Sequence, residues 1–128
     1  MNMDALRGRV IGAALEVHST LGPGFLESLY EQALAIEFEK RCIHYERQKM
    51  IQVEYKGYPI GEGRLDFFVE DCLIVELKTV EVLQAVHISQ VVSYLKALDL
   101  REALLLNFRV HSLKKGIRRV FHPLFLKS

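Results

Sequence analysis

Gly63-Arg64-Leu65-Asp66-Phe67-Phe68-Val69-Glu70-Asp71-Cys72-Leu73-Ile74-Val75-Glu76-Leu77-Lys78 reads as two strands joined by a turn at Glu70-Asp71, with an Asp on the first and a Glu-x-Lys on the second. Successive side chains of a strand alternate faces, so Arg64, Asp66 and Phe68 share one face, and Cys72, Ile74, Glu76 and Lys78 share a face of the next strand. Asp66, Glu76 and Lys78 can therefore converge. Their neighbours Leu65, Phe67, Val69, Leu73, Val75 and Leu77 are apolar, which marks interior strands. Taken alone, a Glu-x-Lys in such a place is most often an internal ion pair. Two carboxylates meeting across a turn also match the donor set of a hard divalent cation, a Mg²⁺ site completed by water and a substrate phosphate.

The chain has 128 residues, 50% of them hydrophobic. That length suits a single domain, residues 1–128, burying about two thirds of the surface its unfolded form exposes. Cys42 and Cys72 are too few for a four-cysteine metal centre and sit in apolar or strand-like segments, so free thiols in a reducing cytoplasm are expected. No apolar run approaches the ~20 residues of a membrane span, and Asp4, Arg7 and Arg9 interrupt the start of the chain, so no membrane association is expected and a cytoplasmic location is. With 17 Lys+Arg against 16 Asp+Glu, the net charge is +1. A general nucleic-acid binder is more basic, so any contact with nucleic acid must be local. The candidates are the run Lys114-Lys115-Gly116-Ile117-Arg118-Arg119 and the cluster Arg41, Arg47 and Lys49, either of which can equally be a solvated face.

Val10, Ile11, Ala14, Leu15 and Leu21 recur at helical spacing over residues 4–21, with Asp4 as N-cap, and Gly22-Pro23-Gly24 ends the pattern. A second helix is expected over 25–41 with Leu26, Leu29, Ala33, Ile36 and Leu34 inward. Strands are expected over 43–47 and 51–56, ahead of the central pair. A third helix over 82–99 turns Ile88, Val91, Val92, Leu95 and Leu98 inward, and strands follow over 103–108 and 117–121. The order α-α-β-β-β-β-α-β-β implies one α/β domain with a central mixed β-sheet flanked by helices.

On the third helix His87, Gln90 and Tyr94 fall within an arc of roughly 60°. The helix starts soon after Lys78, so Gln90 and Tyr94 become candidates for the same site. On the second helix Glu27, Tyr30 and Glu31 share a face, although Glu27 at a helix start is also favoured by the helix dipole. His18 and His44 read as structural histidines. No paired His ligands, placeable nucleophilic triad or phosphate-cradling loop is present.

These pieces resemble a known family. Gly24-Phe25-Leu26-Glu27-Ser28-Leu29-Tyr30 is similar to the signature of the small bacterial GxxExxY proteins, and Asp66 with Glu76-Leu77-Lys78 resembles the PD-(D/E)xK nuclease core. Gln90-x-x-x-Tyr94 is similar to the Q-x-x-x-Y element of the RecB and lambda-exonuclease branch of that superfamily. Leu65 stands where the superfamily's name has Pro, a departure that leaves Asp66 in place.

The resemblance implies a restriction-endonuclease-like core that hydrolyses phosphodiester bonds with Mg²⁺ or Mn²⁺. Asp66, Glu76 and the Leu77 carbonyl would hold the metal, with Glu27 at its edge bound directly or through water. Lys78 would orient or activate the attacking water, and Gln90 and Tyr94 would position Lys78 and the scissile phosphate. Nucleic acid is the implied partner, DNA before RNA, and specificity would have to come from loops, a homodimer or another protein. A nuclease-fold module that binds without turnover is the alternative, and a plain α/β domain with an internal ion-pair network is the third reading.

Overall fold

A computed structural model describes residues 2–125. Helix α1 spans Met3–Leu21 and α2 spans Glu27–Lys40. The strands are β1 Tyr45–Tyr55, β2 Tyr58–Val69, β3 Leu73–Lys78, β4 Glu102–Asn107 and β5 Ile117–Phe121, with α3 Ala85–Leu98 crossing over between β3 and β4. They form one sheet in the order β1-β2-β3-β4-β5. Every pairing is antiparallel except β3 with β4. The expected α/β architecture, a mixed sheet flanked by helices, is the one observed.

The central strands are buried on both faces. Leu104 and Leu106 of β4 pack with α1 and α2, whereas Ala103 and Leu105 pack with α3, the two-residue period of a strand covered on both sides. Val75 and Leu77 of β3 point to the α1/α2 side, so Glu76 and Lys78 project to the side of α3. The turn at Glu70-Asp71 is real, with both residues at positive φ, 50° and 56°. They are the central pair of a tight turn closed by the Cys72 N–H donating to the Val69 carbonyl at 3.0 Å, within a three-residue connection between the paired Val69 and Leu73.

Three local expectations are corrected. The strands expected over 43–47 and 51–56 are a single strand, β1, so the sheet has five strands where six were expected. Gln48 lies at φ 54° and bends the strand without ending it. The N-cap of α1 is Asn2, whose side chain accepts the Ala5 N–H at 2.7 Å. Asp4 sits in the first turn and pairs with Arg7.

The face of α2 also differs. Leu34 is buried as expected, but the other buried positions are Tyr30, Ala35 and Phe38, while Leu26, Leu29 and Ile36 are exposed. The aromatics decide the rotation. Tyr30 stacks on Phe108 with ring centroids 4.7 Å apart, and Phe38 meets Phe67 edge-on at 5.2 Å. Two large rings bury more surface than the aliphatic stripe, and such pairs add to area burial.

Candidate active site

Strands β2 and β3 pair at Val69 with Leu73, Phe68 with Ile74 and Phe67 with Val75. Beyond that point the side chains of the next two residues take over the backbone's hydrogen bonds. The Asp66 N–H donates to Glu76 Oε2 at 2.6 Å, and the Leu77 N–H donates to Asp66 Oδ2 at 2.8 Å. The strands part, and two carboxylates occupy the opening. Each keeps one oxygen free of these backbone bonds.

Burial raises the proton affinity of both groups, because a charged carboxylate loses its hydration. Glu76 is pushed up to about 8 by burial first and by the charge of Asp66 second, with the Asp66 N–H and Lys78 only partly offsetting. Asp66 is raised by burial, against the Leu77 N–H, with Glu31 adding to the rise. Glu27, the first residue of α2, is raised by burial and then by Asp66. The Lys78 ammonium acts on all three carboxylates in the opposite sense. No ion pair joins it to any of them. The internal salt bridge that would be the ordinary reading of Glu-x-Lys is therefore absent.

Local chemistry explains how each group is delivered. Tyr30 carries the turn ahead of α2: its hydroxyl donates to the Gly22 carbonyl at 2.5 Å and accepts the Phe25 N–H at 3.2 Å. It is buried scaffolding that sets where α2, and hence Glu27, begins. Lys78 lies opposite Asn107 in the parallel β3–β4 register, and its carbonyl accepts the Phe108 N–H at 2.9 Å. The Asn107 amide donates to the Val80 carbonyl at 2.8 Å, and its oxygen accepts the Val80 N–H at 3.1 Å.

Tyr94 packs against the site, whereas Gln90 stands on the exposed side of the same helix. The Tyr94 hydroxyl is raised in pKa by burial and by Glu76, against a hydrogen bond from the backbone of Arg64. Its ring lies so close to β2 that a Cβ at Gly63 would stand 2.8 Å from Tyr94 Cε1; only glycine leaves that space. The Gln90 side chain is exposed and makes no hydrogen bond with the described residues. His87 faces the helix start, where its Nδ1 accepts the Gln84 N–H at 2.9 Å.

Two participants escape the sequence pattern. Gln48 Nε2 lies 2.5 Å from Glu31 Oε1 and 3.4 Å from Asp66 Oδ1, bridging two acids. Its segment reads as a break between strands, which hides it. Asn107 left a signal, a lone amide closing the apolar run from Ala103 to Leu106. Among the described residues no group of three or more His, Cys, Asp or Glu side chains is gathered closely enough to hold a metal ion. The donors nonetheless fit a hard divalent cation in kind, being carboxylate oxygens with raised proton affinity.

No helix among the described residues is long and apolar enough to cross a membrane. No curated protein and no solved structure matches the chain. The family model of the PD-(D/E)XK nuclease superfamily matches residues 4–120, a span that contains Glu27, Asp66, Glu76, Lys78, Gln90 and Tyr94. With the five-stranded mixed sheet and its split between β2 and β3, that match establishes that the chain belongs to the PD-(D/E)XK nuclease superfamily.

Proposed function

We propose that residues 1–128 form one nuclease domain of the GxxExxY group, on the RecB and lambda-exonuclease side of the superfamily, that hydrolyses phosphodiester bonds of nucleic acid with Mg²⁺ or Mn²⁺. The observation that carries this reading is the Lys78 ammonium, within electrostatic reach of Glu27, Asp66 and Glu76 yet ion-paired with none. A structural lysine would be spent on one of them. Asp66 and Glu76 would hold the metal, with the Leu77 carbonyl and Glu27 completing its protein ligands. When bound, it supplies Lewis-acid polarisation of the phosphate and a more acidic water.

The chain's own groups then divide the work. Lys78 orients the attacking water and offsets the charge that grows on the phosphate. Tyr94 holds the root of β2 against α3 beside Glu76, and Gln90 reaches the phosphate from the exposed side of the same helix. DNA is favoured over RNA as substrate, and the free thiols Cys42 and Cys72 suit a reducing cytoplasm. Cleavage of DNA and RNA with Mg²⁺ or Mn²⁺ tests the reading. Activity in the intact chain that disappears in Glu76→Ala and in Lys78→Ala is the expected result, and activity unchanged by both substitutions would end it.

One observation favours a second reading, a module that binds without turnover. Among the described residues no metal-holding group of three acidic, His or Cys side chains is assembled. The two readings separate on thermal melting. A catalytic site gains stability when Mg²⁺ neutralises its crowded carboxylates, so Mg²⁺ raises the melting temperature of the intact chain and not of Asp66→Asn. Absence of a shift in both supports the inactive module.

A further inference from the structure

The two basic clusters of the sequence meet opposite fates in the fold. In the first, Arg41 pairs with Glu37, Arg47 with Glu31 and Lys49 with Glu46. Its charge is neutralised. In the second, Arg119 turns to the buried Glu102, but Lys114, Lys115 and Arg118 are exposed, as is Arg109 on the preceding loop. None of these four side chains has an ion pair or hydrogen bond among the described residues. Alternation along β5 explains why adjacent Arg118 and Arg119 part company.

The unpaired cations border the segment that follows Lys78. Lys115 and Arg118 line a hollow of about 250 Å³ together with Asn107 and the segment Glu81 to Leu83 that leads away from Lys78. Arg109 and Lys115 line a neighbouring hollow of about 440 Å³, also bordered by Glu81. This surface is held in fixed relation to Lys78. Asn107, paired with Lys78, accepts the Arg109 N–H at 3.2 Å as well as clamping Val80. Gly116 is pressed on the carbonyl of Asn107, where a Cβ would lie 2.4 Å from the oxygen. On the far side His18 Nε2 lies 2.7 Å from the Val110 carbonyl and ties the Arg109 loop to α1.

We propose that Arg109, Lys114, Lys115 and Arg118 form a phosphate track that leads the backbone of a nucleic acid to Lys78. The proposal rests on the nuclease reading and names the surface that supplies its substrate affinity. A chain with a net charge of +1 has no general attraction for nucleic acid. Unpaired cations concentrated beside the segment that follows Lys78 give it a local one, by releasing counterions from the phosphates they neutralise. Glu81 opposes them and keeps the attraction moderate.

The test uses the full chain carrying Lys78→Ala, so that nothing is turned over, and short labelled duplex, single-stranded DNA and RNA, with anisotropy read over a range of salt. Lys115→Glu with Arg118→Glu is expected to weaken binding about tenfold or more and to lower the slope of log affinity against log salt by about 2. The uncharged pair Lys115→Gln with Arg118→Gln shows a smaller loss in the same direction. Lys40→Glu with Lys96→Glu, exposed cations at the far ends of α2 and α3, leaves affinity and slope unchanged, and Glu81→Gln tightens binding. A Lys115/Arg118 variant that melts like its parent and binds with the parent's affinity and slope overturns the track. So does an equal loss in the Lys40/Lys96 control. If the Lys78→Ala chain binds no nucleic acid and the intact chain cleaves none, the nuclease reading falls and the track with it; cleavage that survives with unchanged KM in the Lys115/Arg118 variant refutes the track alone.

Discussion

Glu76 and Glu102 sit on the adjacent strands β3 and β4, with 4% and 3% of their surface exposed, and burial pushes both carboxyls upward. Their surroundings differ. Burial pushes Glu102 up, but Arg7 and Arg119 more than reverse it and hold the carboxyl below its usual range. Arg7 donates through Nε at 3.0 Å and Nη2 at 2.7 Å, and Arg119 adds a third bond at 3.3 Å. Glu76 faces another carboxylate, one backbone N–H and an ammonium with no ion pair among the described residues, and ends at about 8. Two carboxylates with equally little exposed surface thus become a satisfied structural anion in one place and, in the other, a group whose charge awaits a partner from outside.

The largest test of this difference is functional. Glu76→Ala and Lys78→Ala are expected to lower single-turnover cleavage in Mg²⁺ about 10²–10⁴-fold while leaving the circular dichroism spectrum intact. Equal losses in Glu102→Gln would erase the distinction between the two carboxylates. Arg7→Ala should do the reverse. Removing one partner of a buried pair leaves an uncompensated charge, so urea unfolding is expected to show a loss of roughly 2–4 kcal/mol, reduced from the full range because Arg119 remains. Cleavage per folded molecule stays near that of the parent. A loss under about 1 kcal/mol would place Glu102 among the weakly coupled surface pairs.

Stability against pH gives the next contrast, measured with a chelator present. Glu76 goes from an ordinary 4.5 to about 8 in the folded chain, so the folded state holds more protons through that window. Stability then falls as pH rises from 4.5 towards 8, at up to about 1.4 kcal/mol per unit for one group. Asp66 and Glu27 are raised as well and act in the same sense. Glu102 is lowered, so its contribution is present above the ordinary carboxylate value and is lost as pH falls through its depressed one. Melts from about pH 5 to about pH 8 should show Glu76→Gln stabilising the chain at the upper end and nearly neutral at the lower. Glu102→Gln should destabilise it across the whole range, since that carboxylate stays ionised throughout. Parallel curves for the two variants would refute the assignment of opposite surroundings.

The contrast also shows what could be read from residues alone. Asp66, Glu76 and Lys78 were legible because charges interrupt runs that are otherwise apolar, and the two-residue period puts them on one face. The mixed sheet was legible too, from a hairpin followed by a helix of crossover length. Glu102 was not, since a Glu at the start of a strand looks solvated until α1 lays Arg7 over it. The face of α2 was missed for a related reason: Leu26, Leu29 and Ile36 count as a stripe by hydropathy, while Tyr30 and Phe38 win by ring packing against Phe108 and Phe67. The continuity of β1 was hidden by Gln48, whose left-handed backbone no pattern announces. That same bend carries Gln48 to Asp66.

Gln48 supplies the smallest and most local test. Glu102 is held low by two guanidinium groups, whereas Asp66 has, besides the Leu77 N–H and Lys78, a neutral amide as its remaining donor, at 3.4 Å. That bond is long, shared with Glu31 and solvent-facing, so its removal should move the Asp66 carboxyl upward, by less than the loss of a full charge partner would. Gln48→Leu, followed by an NMR titration of the Asp66 side-chain carbon without metal, checks this. An upward move shows that Asp66 leans on the bent strand for part of its charge. A value that stays put assigns its ionisation to Leu77 and Lys78 alone, and a downward move means that the amide presents its oxygen, not its nitrogen, to Asp66.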